Sequence, residues 1–361
     1  MAEQGSAPDP AAQAVAAQAA AAQAAAAQAP GRRPRLADVA ARVGVSPGLV
    51  SLVLRSQPGP SAQTRARVLE AAGELGYRPD RTASLLARRR SHHLGVMMNV
   101  HNTFHAELVG HIDAAASRLG YDLVLAALTP TRDERRAVET LLDFRCEALI
   151  LLGPDDLAGR LNAIGQQLPV VVIGRRIPSA TVDVVRAADD EGVGQAISHL
   201  AALGHRDIAF IDGGKGTIAS DRRRGYRTAM RRAGGGDHIQ IIPGDHTEEA
   251  GLRAAATLLG ERSRPTAVMT SNDRCAVGLL DALLRRGIEV PGSMSVVGYD
   301  DSALARLAHV SLTTVSQDAQ NQATRAVALA AGRLENAATA PREVVLTPSL
   351  VLRSTTGPPR P

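Results

Sequence analysis

The chain is 361 residues long and 45% apolar, enough for two or three domains with a sizeable buried core. Charged residues make up 21%, too few for a disordered polyelectrolyte, and no run of about 18 apolar residues escapes glutamine, charge or proline, so a membrane span is not expected. Cys146 and Cys275 alone cannot build a disulfide framework or a four-cysteine zinc site, and no basic residue precedes Arg32, so no secretory signal is expected; both features fit the reducing cytoplasm.

The charge is placed unevenly. Residues 31–93 hold twelve arginines against Asp38, Glu70, Glu74 and Asp80, a net charge of +8, whereas the whole chain carries +5. A basic N-terminal module on a nearly neutral body points to a polyanionic partner, with nucleic acid the default. A solvated arginine-rich surface would give the same count.

Residues 1–30 are low in complexity, with Gln13, Gln18, Gln23 and Gln28 spaced through alanine. Five residues advance a helix by about 140°, so these glutamines define no face, and a tail with transient helix is expected. Pro30, Gly31 and Pro34 end it. Residues 35–77 read as three short helices. The first spans about Leu36–Val43 and stops at Gly44, which suits a left-handed turn. Ser46 is a natural N-cap and Pro47 fits the first helical position, so a second helix runs to about Leu54. After the Pro58-Gly59-Pro60 loop, Ser61 caps a third helix through about Leu75, closed by Gly76. Residues 79–90 form a short arginine-flanked segment whose length suits a marginal helix that needs a partner.

From residue 94 to 353 strands and helices alternate. Short apolar runs at Leu94–Met98, Asp122–Ala126, Ala148–Leu152, Val170–Ile173 and Val182–Val185 form one set. Ile208–Ile211, Ile239–Ile242, Ala267–Thr270 and Ser295–Val297 form a second. This rhythm predicts two similar α/β lobes with parallel sheets, and a shared cleft outside the carboxyl ends of the strands.

The stretch Leu36–Leu54 carries a helix-turn-helix pattern. Ala40 is small where two helices would cross, Gly44 makes the turn, and Val45, Val50 and Val53 would hold the second helix at an angle that lets it enter the major groove. Around this pattern the chain resembles the lactose-repressor/galactose-repressor (LacI/GalR) family over residues 34–355. The segments that carry the likeness, in order, include Glu74-Leu75-Gly76-Tyr77-Arg78-Pro79, Leu203-Gly204-His205-Arg206-Asp207-Ile208, Gly225-Tyr226-Arg227, Ser271-Asn272-Asp273, Gly298-Tyr299-Asp300-Asp301 and Leu312-Thr313-Thr314-Val315.

The resemblance implies an all-α helix-turn-helix DNA-binding domain followed by an α/β two-lobed effector domain like that of periplasmic binding proteins. The divisions expected are a tail at 1–33, the DNA-binding domain at 34–78, a hinge helix at 79–91 and the effector and dimerisation domain at 92–356. Within the last, lobe 1 is about 92–187 and 318–345, and lobe 2 about 188–317 and 346–356. It further implies a cytoplasmic homodimer on a near-palindromic operator. In that arrangement paired hinge helices wedge a leucine into the minor groove. Leu86 matches that leucine, Ala83 the small residue a turn earlier, and Arg81 flanks them; an apolar wedge unstacks a base step and bends the duplex.

The second helix departs from the family. Leu52 stands in place of the usual base-reading arginine, Pro47 and Gly48 replace larger polar residues, and Leu49 replaces a common threonine, while Ser51 remains. Fewer base hydrogen bonds are expected, with more reliance on thymine methyls and phosphates. Ser46 and Arg55 complete the expected DNA face, Arg55 as a phosphate contact.

For the cleft, the family places a ligand-gripping arginine three residues before Gly225, which is Arg222, and a guanidinium fork suits a carboxylate, phosphate or hydroxyl pair. Arg175, Asn272 and Asp300 follow strand ends, Asn99, His101 and Phe104 follow the first strand, and His246 stands where relatives place a stacking aromatic. A sugar or a derivative such as a sugar phosphate is the expected effector, with a purine or other metabolite the second choice. His101 and His105 lie four apart but lack a metalloprotease pattern, so no metal is expected. Gly214-Lys215-Gly216-Thr217-Ile218-Ala219 reads as GxGxxA, yet it comes too late for a first dinucleotide unit, and Gly216 after Lys215 excludes a P-loop. The reading is a ligand-controlled transcription regulator, a repressor by resemblance, without cofactor or catalysis. The alternatives are a small-molecule binding protein without DNA function and a nucleotide-dependent α/β enzyme.

Overall fold

The computed structural model describes residues 34–55, 57–78, 90–155, 159–177, 179–260, 264–336 and 338–360. The tail expected at 1–33 and most of the expected hinge, including Arg81, Ala83 and Leu86, lie outside the described residues. The chain divides into two compact units, Met1–Arg90 and Ser91–Pro361.

The first unit contains α1 (Leu36–Val43), α2 (Pro47–Leu54) and α3 (Ala62–Glu74). Val39, Ala40, Val43, Val50, Val53, Val68, Ala71 and Ala72 form its core. Ala40, 2% exposed, takes little room where the helices meet. Gly44 at φ 74° reverses the chain, and the N–H groups of Gly44 and Val45 both donate to the Ala40 carbonyl, at 2.9 and 3.0 Å. Ser46 Oγ then accepts the Leu49 N–H at 3.3 Å and starts α2.

The second unit is built on two six-stranded sheets. The first contains β1 (His93–Asn99), β2 (Asp122–Leu128), β3 (Ala148–Leu152), β4 (Val170–Ile173), β5 (Val182–Ala187) and β11 (Glu343–Leu346), in the order β11-β5-β4-β3-β1-β2, and its pairings are parallel. The second contains β6 (Ile208–Ile211), β7 (Gln240–Ile242), β8 (Ala267–Thr270), β9 (Ser295–Asp300), β10 (Thr314–Ser316) and β12 (Ser349–Val351), in the order β12-β10-β9-β8-β6-β7. Only β12 runs antiparallel to its neighbour in that sheet, along β10. Buried on both faces, β3 and β4 are continuous apolar runs, as central parallel strands must be.

Helices cover both faces of each sheet. On the first, α4 (Thr103–Arg118) and α12 (Ala319–Glu335) share one core, while α5 (Glu134–Asp143) and α6 (Leu161–Gly165) share the other. On the second, α9 (Glu248–Gly260), α10 (Asp273–Arg285) and α11 (Ala303–Arg306) lie on one side, and α7 (Asp189–Ala202) and α8 (Thr217–Arg232) on the other. The α7–α8 approach depends on Gly225, where a Cβ would stand 2.6 Å from the Asp190 carbonyl.

The chain passes between the sheets at Ala188, at Gln317-Asp318 and at Thr347-Pro348, so each lobe is assembled from separated pieces of sequence. In each sheet the strand order reverses beside the first strand, between β1 and β3 and between β6 and β8. That is where a doubly wound sheet opens a crevice at its carboxyl edge. The strand expected at Ile239–Ile242 begins one residue later, because Ile239 closes a 3-10 turn at Gly236–His238.

Candidate nucleic-acid interface and ligand cleft

In the first unit α1 and α2 are bent by 105°, the angle that frees a second helix to enter a groove. Val50 and Val53 anchor α2, and its opposite face is left to solvent: Pro47, Gly48 and Arg55 are exposed, Leu52 is 43% exposed, and Leu49 and Ser51 are partly covered. Ser46 is exposed, but its hydroxyl already accepts the cap hydrogen bond. None of these seven residues is buried, and Arg55 stands at the C-cap of α2.

Not all the positive charge of this unit faces outward. Arg65 donates to the carbonyls of Val53 at 3.2 Å and Gln57 at 2.8 Å, closing the end of α2. Arg67 donates to Val43 at the end of α1. Arg42 pairs with Glu74 at 3.1 Å on the surface. Counting arginines in the sequence gave no means of separating these internal braces from groups available to DNA.

In the second unit Asn99, His101, Arg175, His246, Asn272 and Asp300 lie in loops or at strand ends, whereas Arg222 projects from the second turn of α8. Arg222 is the most deeply set. Its Nε donates to Asp189 Oδ1 at 2.7 Å, its Nη1 donates to the Ser271 carbonyl, and its Cζ lies 3.6 Å from the Tyr299 ring centroid. Burial works against this guanidinium's charge, but Asp189, Tyr299 and Asp300 more than restore it, so its pKa lies above the usual value. Asp300 follows at the end of β9 with φ 124°, a strained conformation for a residue with a Cβ. Its Oδ1 accepts from Gln317 Nε2 at 2.7 Å, at a crossing between the lobes. Burial pushes its carboxyl well above the usual range, while Arg222 pulls against the shift and Asp273 adds to it.

His246 is set against Gly213, where a Cβ would come within 2.6 Å of its ring. Burial lowers its pKa to about 4, and Arg222 contributes to the fall, so the ring is neutral at neutral pH. Asn272 uses both ends within its own lobe. Its Nδ2 donates to the His246 carbonyl at 3.2 Å, and its Oδ1 accepts from Cys275 N at 2.9 Å and caps α10. It therefore positions the His246 loop.

From the first lobe, Asn99 Oδ1 accepts the His101 N–H at 2.9 Å, bracing the turn after β1. The His101 side chain is exposed, and its carbonyl accepts from Arg274 of the second lobe at 2.5 Å. Phe104 corrects an expectation: it is 6% exposed and belongs to the core with Leu94, Val96 and Leu108. The residue after it takes the place at the cleft. His105 Nδ1 accepts the Asn99 N–H at 3.2 Å, so a neutral ring carries its proton on Nε2, beside Gly153. Burial lowers its pKa to about 4. Arg175 is 8% exposed and pairs with Asp155 through Nη2, while its Nε is buried without a hydrogen-bond partner.

Asp189, Ser271, His105 and Tyr299 were not singled out from sequence for this cleft. Ser271 and Tyr299 lie within family segments but carried no assigned role, and Asp189 meets Arg222 only across 33 residues of chain. The lobes are also tied at the rim, where Glu107 accepts from the Ala303 N–H and pairs with Arg306 Nη2 at 3.0 Å. Fixed donors, neutral imidazoles and a buried carboxyl suit reversible binding of a polar molecule. Among the described residues no group of three or more His, Cys, Asp or Glu could hold a metal ion, and no single helix is long and apolar enough to cross a membrane.

Comparison with known proteins divides the chain in the same way. The profile for bacterial regulatory proteins of the lacI family matches residues 35–80, and that for the periplasmic binding protein-like domain matches residues 197–356. The HTH-type transcriptional regulator DegA of Bacillus subtilis is 30% identical over 329 residues, covering 89% of this chain and 97% of DegA. CelR of Thermobifida fusca is 32% identical over 335 residues, covering 89% of this chain and 98% of CelR. Among solved structures, a LacI transcriptional regulator from a Rhodococcus species superposes with TM-score 0.72 at 44% identity, over 74% of this chain and 98% of its own. The lac repressor dimer bound to operator and the anti-inducer ONPF superposes with TM-score 0.76 at 29% identity, over 90% of this chain and 100% of its own. A CelR–cellobiose complex gives TM-score 0.66 at 29% identity, over 90% and 100%.

Proposed function

This chain belongs to the lacI family of bacterial regulatory proteins, and from that premise we propose how it works as a transcriptional regulator that binds operator DNA under the control of a small molecule. The observation that carries the reading is the exposed face of α2, set at 105° to α1 and held by Val50 and Val53. A homodimer presents two such faces to a near-palindromic duplex. Leu52 and Leu49 contact thymine methyls, Ser46, Gly48, Pro47 and Ser51 lie close to the bases, and Arg55 neutralises phosphate. Arg81, Ala83 and Leu86, beyond the described residues, enter the minor groove from the segment joining the two units, with Leu86 as the wedge. The protein acts in the cytoplasm and represses, without catalysis.

The effector binds in the cleft between the lobes. Arg222 and Asp300 grip it from the second lobe with His246, on a floor positioned by Asn272, while His105, Arg175, Asn99 and His101 close on it from the first. CelR, a relative, has been solved with cellobiose, which supports a sugar or sugar derivative here. Ligand binding changes the angle between the lobes, and with it the population of DNA-competent dimers. Coupling of about 1–3 kcal/mol corresponds to a 5–150-fold change in operator affinity. The test is selection of duplexes from a random pool, followed by anisotropy titrations of the winner with and without a panel of sugars. Failure to enrich any duplex over competitor at low salt would defeat the reading.

A further inference from the structure

The Gly214-Lys215-Gly216 loop fits no nucleotide fold, yet it is built in an unusual way. It enters α8 with Gly214 at φ 83° and Gly216 at φ 100°. Gly216 is the N-cap of a 16-residue helix and provides no side-chain cap hydrogen bond. The first N–H groups of that helix therefore lack an intrahelical or capping acceptor. Arg223 Nη1 donates to the Gly214 carbonyl at 2.7 Å and anchors the loop to the helix it precedes.

Arg175 meets this loop from the other lobe. Its Nη2 stands 3.0 Å from the position a Gly216 Cβ would occupy, so any larger residue there would collide with it. The arginine is more than nine-tenths buried and its Nε has no hydrogen-bond partner. A buried guanidinium with an unused donor thus meets an uncapped helix N-terminus at Gly216, next to the exposed Lys215 in sequence, and each favours negative charge. One carboxylate already stands there. Asp155, which follows β3, pairs with Arg175, and its Oδ1 is 3.2 Å from the same Gly216 position. Its N–H is held by Glu134 Oε1 at 2.7 Å, whereas its side chain is 63% exposed.

We propose that Arg175, the Gly214-Lys215-Gly216 loop and the start of α8 form an anion subsite bridging the two lobes, which receives a phosphoryl group on the effector in exchange for the Asp155 carboxylate. This rests on reading the body as an effector-binding domain, and narrows the effector to a phosphorylated small molecule such as a sugar phosphate. A tetrahedral phosphoryl group offers acceptors in three directions to donors arriving from two lobes, whereas a carboxylate offers them in one plane. Asp155 acts as the internal occupant. Its displacement by ligand leaves Arg175 bound to a group that also touches the second lobe.

The test is calorimetric titration of the full-length chain with inorganic phosphate against sodium chloride of equal ionic strength, and with glucose 6-phosphate beside glucose and gluconate. Phosphate is expected to bind saturably. Asp155→Asn is expected to tighten it about fivefold by removing the competitor, and Arg175→Gln to weaken it at least about tenfold, with Arg175→Lys between wild type and Arg175→Gln. An unchanged thermal midpoint without ligand controls for folding. Absence of phosphate-specific heat in Asp155→Asn overturns the subsite, and preference for gluconate over glucose 6-phosphate overturns the phosphoryl assignment. Duplex binding by the same samples keeps the two claims apart. Phosphate binding without DNA binding upholds the subsite and defeats the regulator reading, whereas DNA binding without phosphate binding defeats the subsite alone.

Discussion

Arg67 donates from Nη2 to the carbonyl of Val43 at 2.8 Å, joining the third helix of the small unit to the end of the first. Arg65 does the same for the second helix through Val53. Two arginines that add to the basic charge of this unit are thereby committed to its architecture.

These roles separate by mutation. Arg67→Ala and Arg65→Ala should each lower unfolding free energy by about 1.5–3 kcal/mol, the range for hydrogen bonds from a charged donor. Arg55→Ala should leave stability within about 0.5 kcal/mol and reduce the slope of log affinity against log salt by about 1. Urea denaturation and salt-dependent anisotropy on the same proteins provide the comparison.

Leu52→Ala removes an exposed side chain and should leave the fold intact. Operator affinity should fall by about 1 kcal/mol or more while binding to random duplex stays level, because a thymine-methyl contact is lost only at the correct sequence. Equal losses on both duplexes would remove Leu52 from sequence reading.

Arg222→Met should be among the most damaging substitutions in the body. It leaves Asp189 buried without its cation, which costs about 3–5 kcal/mol. Adding Asp189→Asn to Arg222→Met should recover part of the loss of stability but none of the response to ligand. Chemical denaturation and ligand-linked DNA binding measure the two separately.

His246 makes a signed prediction for pH. Unfolded, it takes up a proton as pH falls through about 6.5; folded, it stays neutral until about 4. Its contribution to stability is therefore complete above 6.5 and is lost progressively as pH drops to 4, by at most about 1.4 kcal/mol per pH unit. The difference in stability between wild type and His246→Gln should change with that slope. Taking the difference cancels the buried carboxyls of Asp273 and Asp300, which are pushed upward and act with the opposite sign. A pH-independent difference would refute the buried neutral imidazole.

Gly225→Ala tests the packing of α7 on α8. The added methyl would meet the Asp190 backbone at 2.6 Å, and overpacking of this kind costs about 1–3 kcal/mol. A lowered thermal midpoint is expected.

The sequence was most legible where structure is local. Gly44, Ser46 and Ser61 mark helix ends through their own backbone and side chains, so α1 and α2 could be bounded residue by residue. The wholly apolar runs of β3 and β4 also stood out. The strands β10, β11 and β12 did not, because runs of three or four residues such as Thr314–Ser316 and Ser349–Val351 have no periodicity of their own and are fixed by their neighbours. Arg222 was singled out through the family resemblance, three residues before Gly225, but its acceptors Asp189 and Ser271 are contributed by distant segments. Phe104 and His105 show the finer limit: adjacent on one helix, they face core and cleft, and only the direction of α4 decides which.

The last sheet strand of the first lobe, Glu343–Leu346, is drawn from about 160 residues beyond the strand it pairs with, Val184–Ala187. A ribosome must therefore reach residue 346 before that lobe can close, about 270 residues after it has made Leu36–Glu74, the span of the small unit's described helices. The part that grips the duplex is made of short-range contacts and folds fast; the part that senses metabolites depends on long-range closure and folds late. A nascent chain interrupted before residue 343 would carry a finished head and an unfinished sensor.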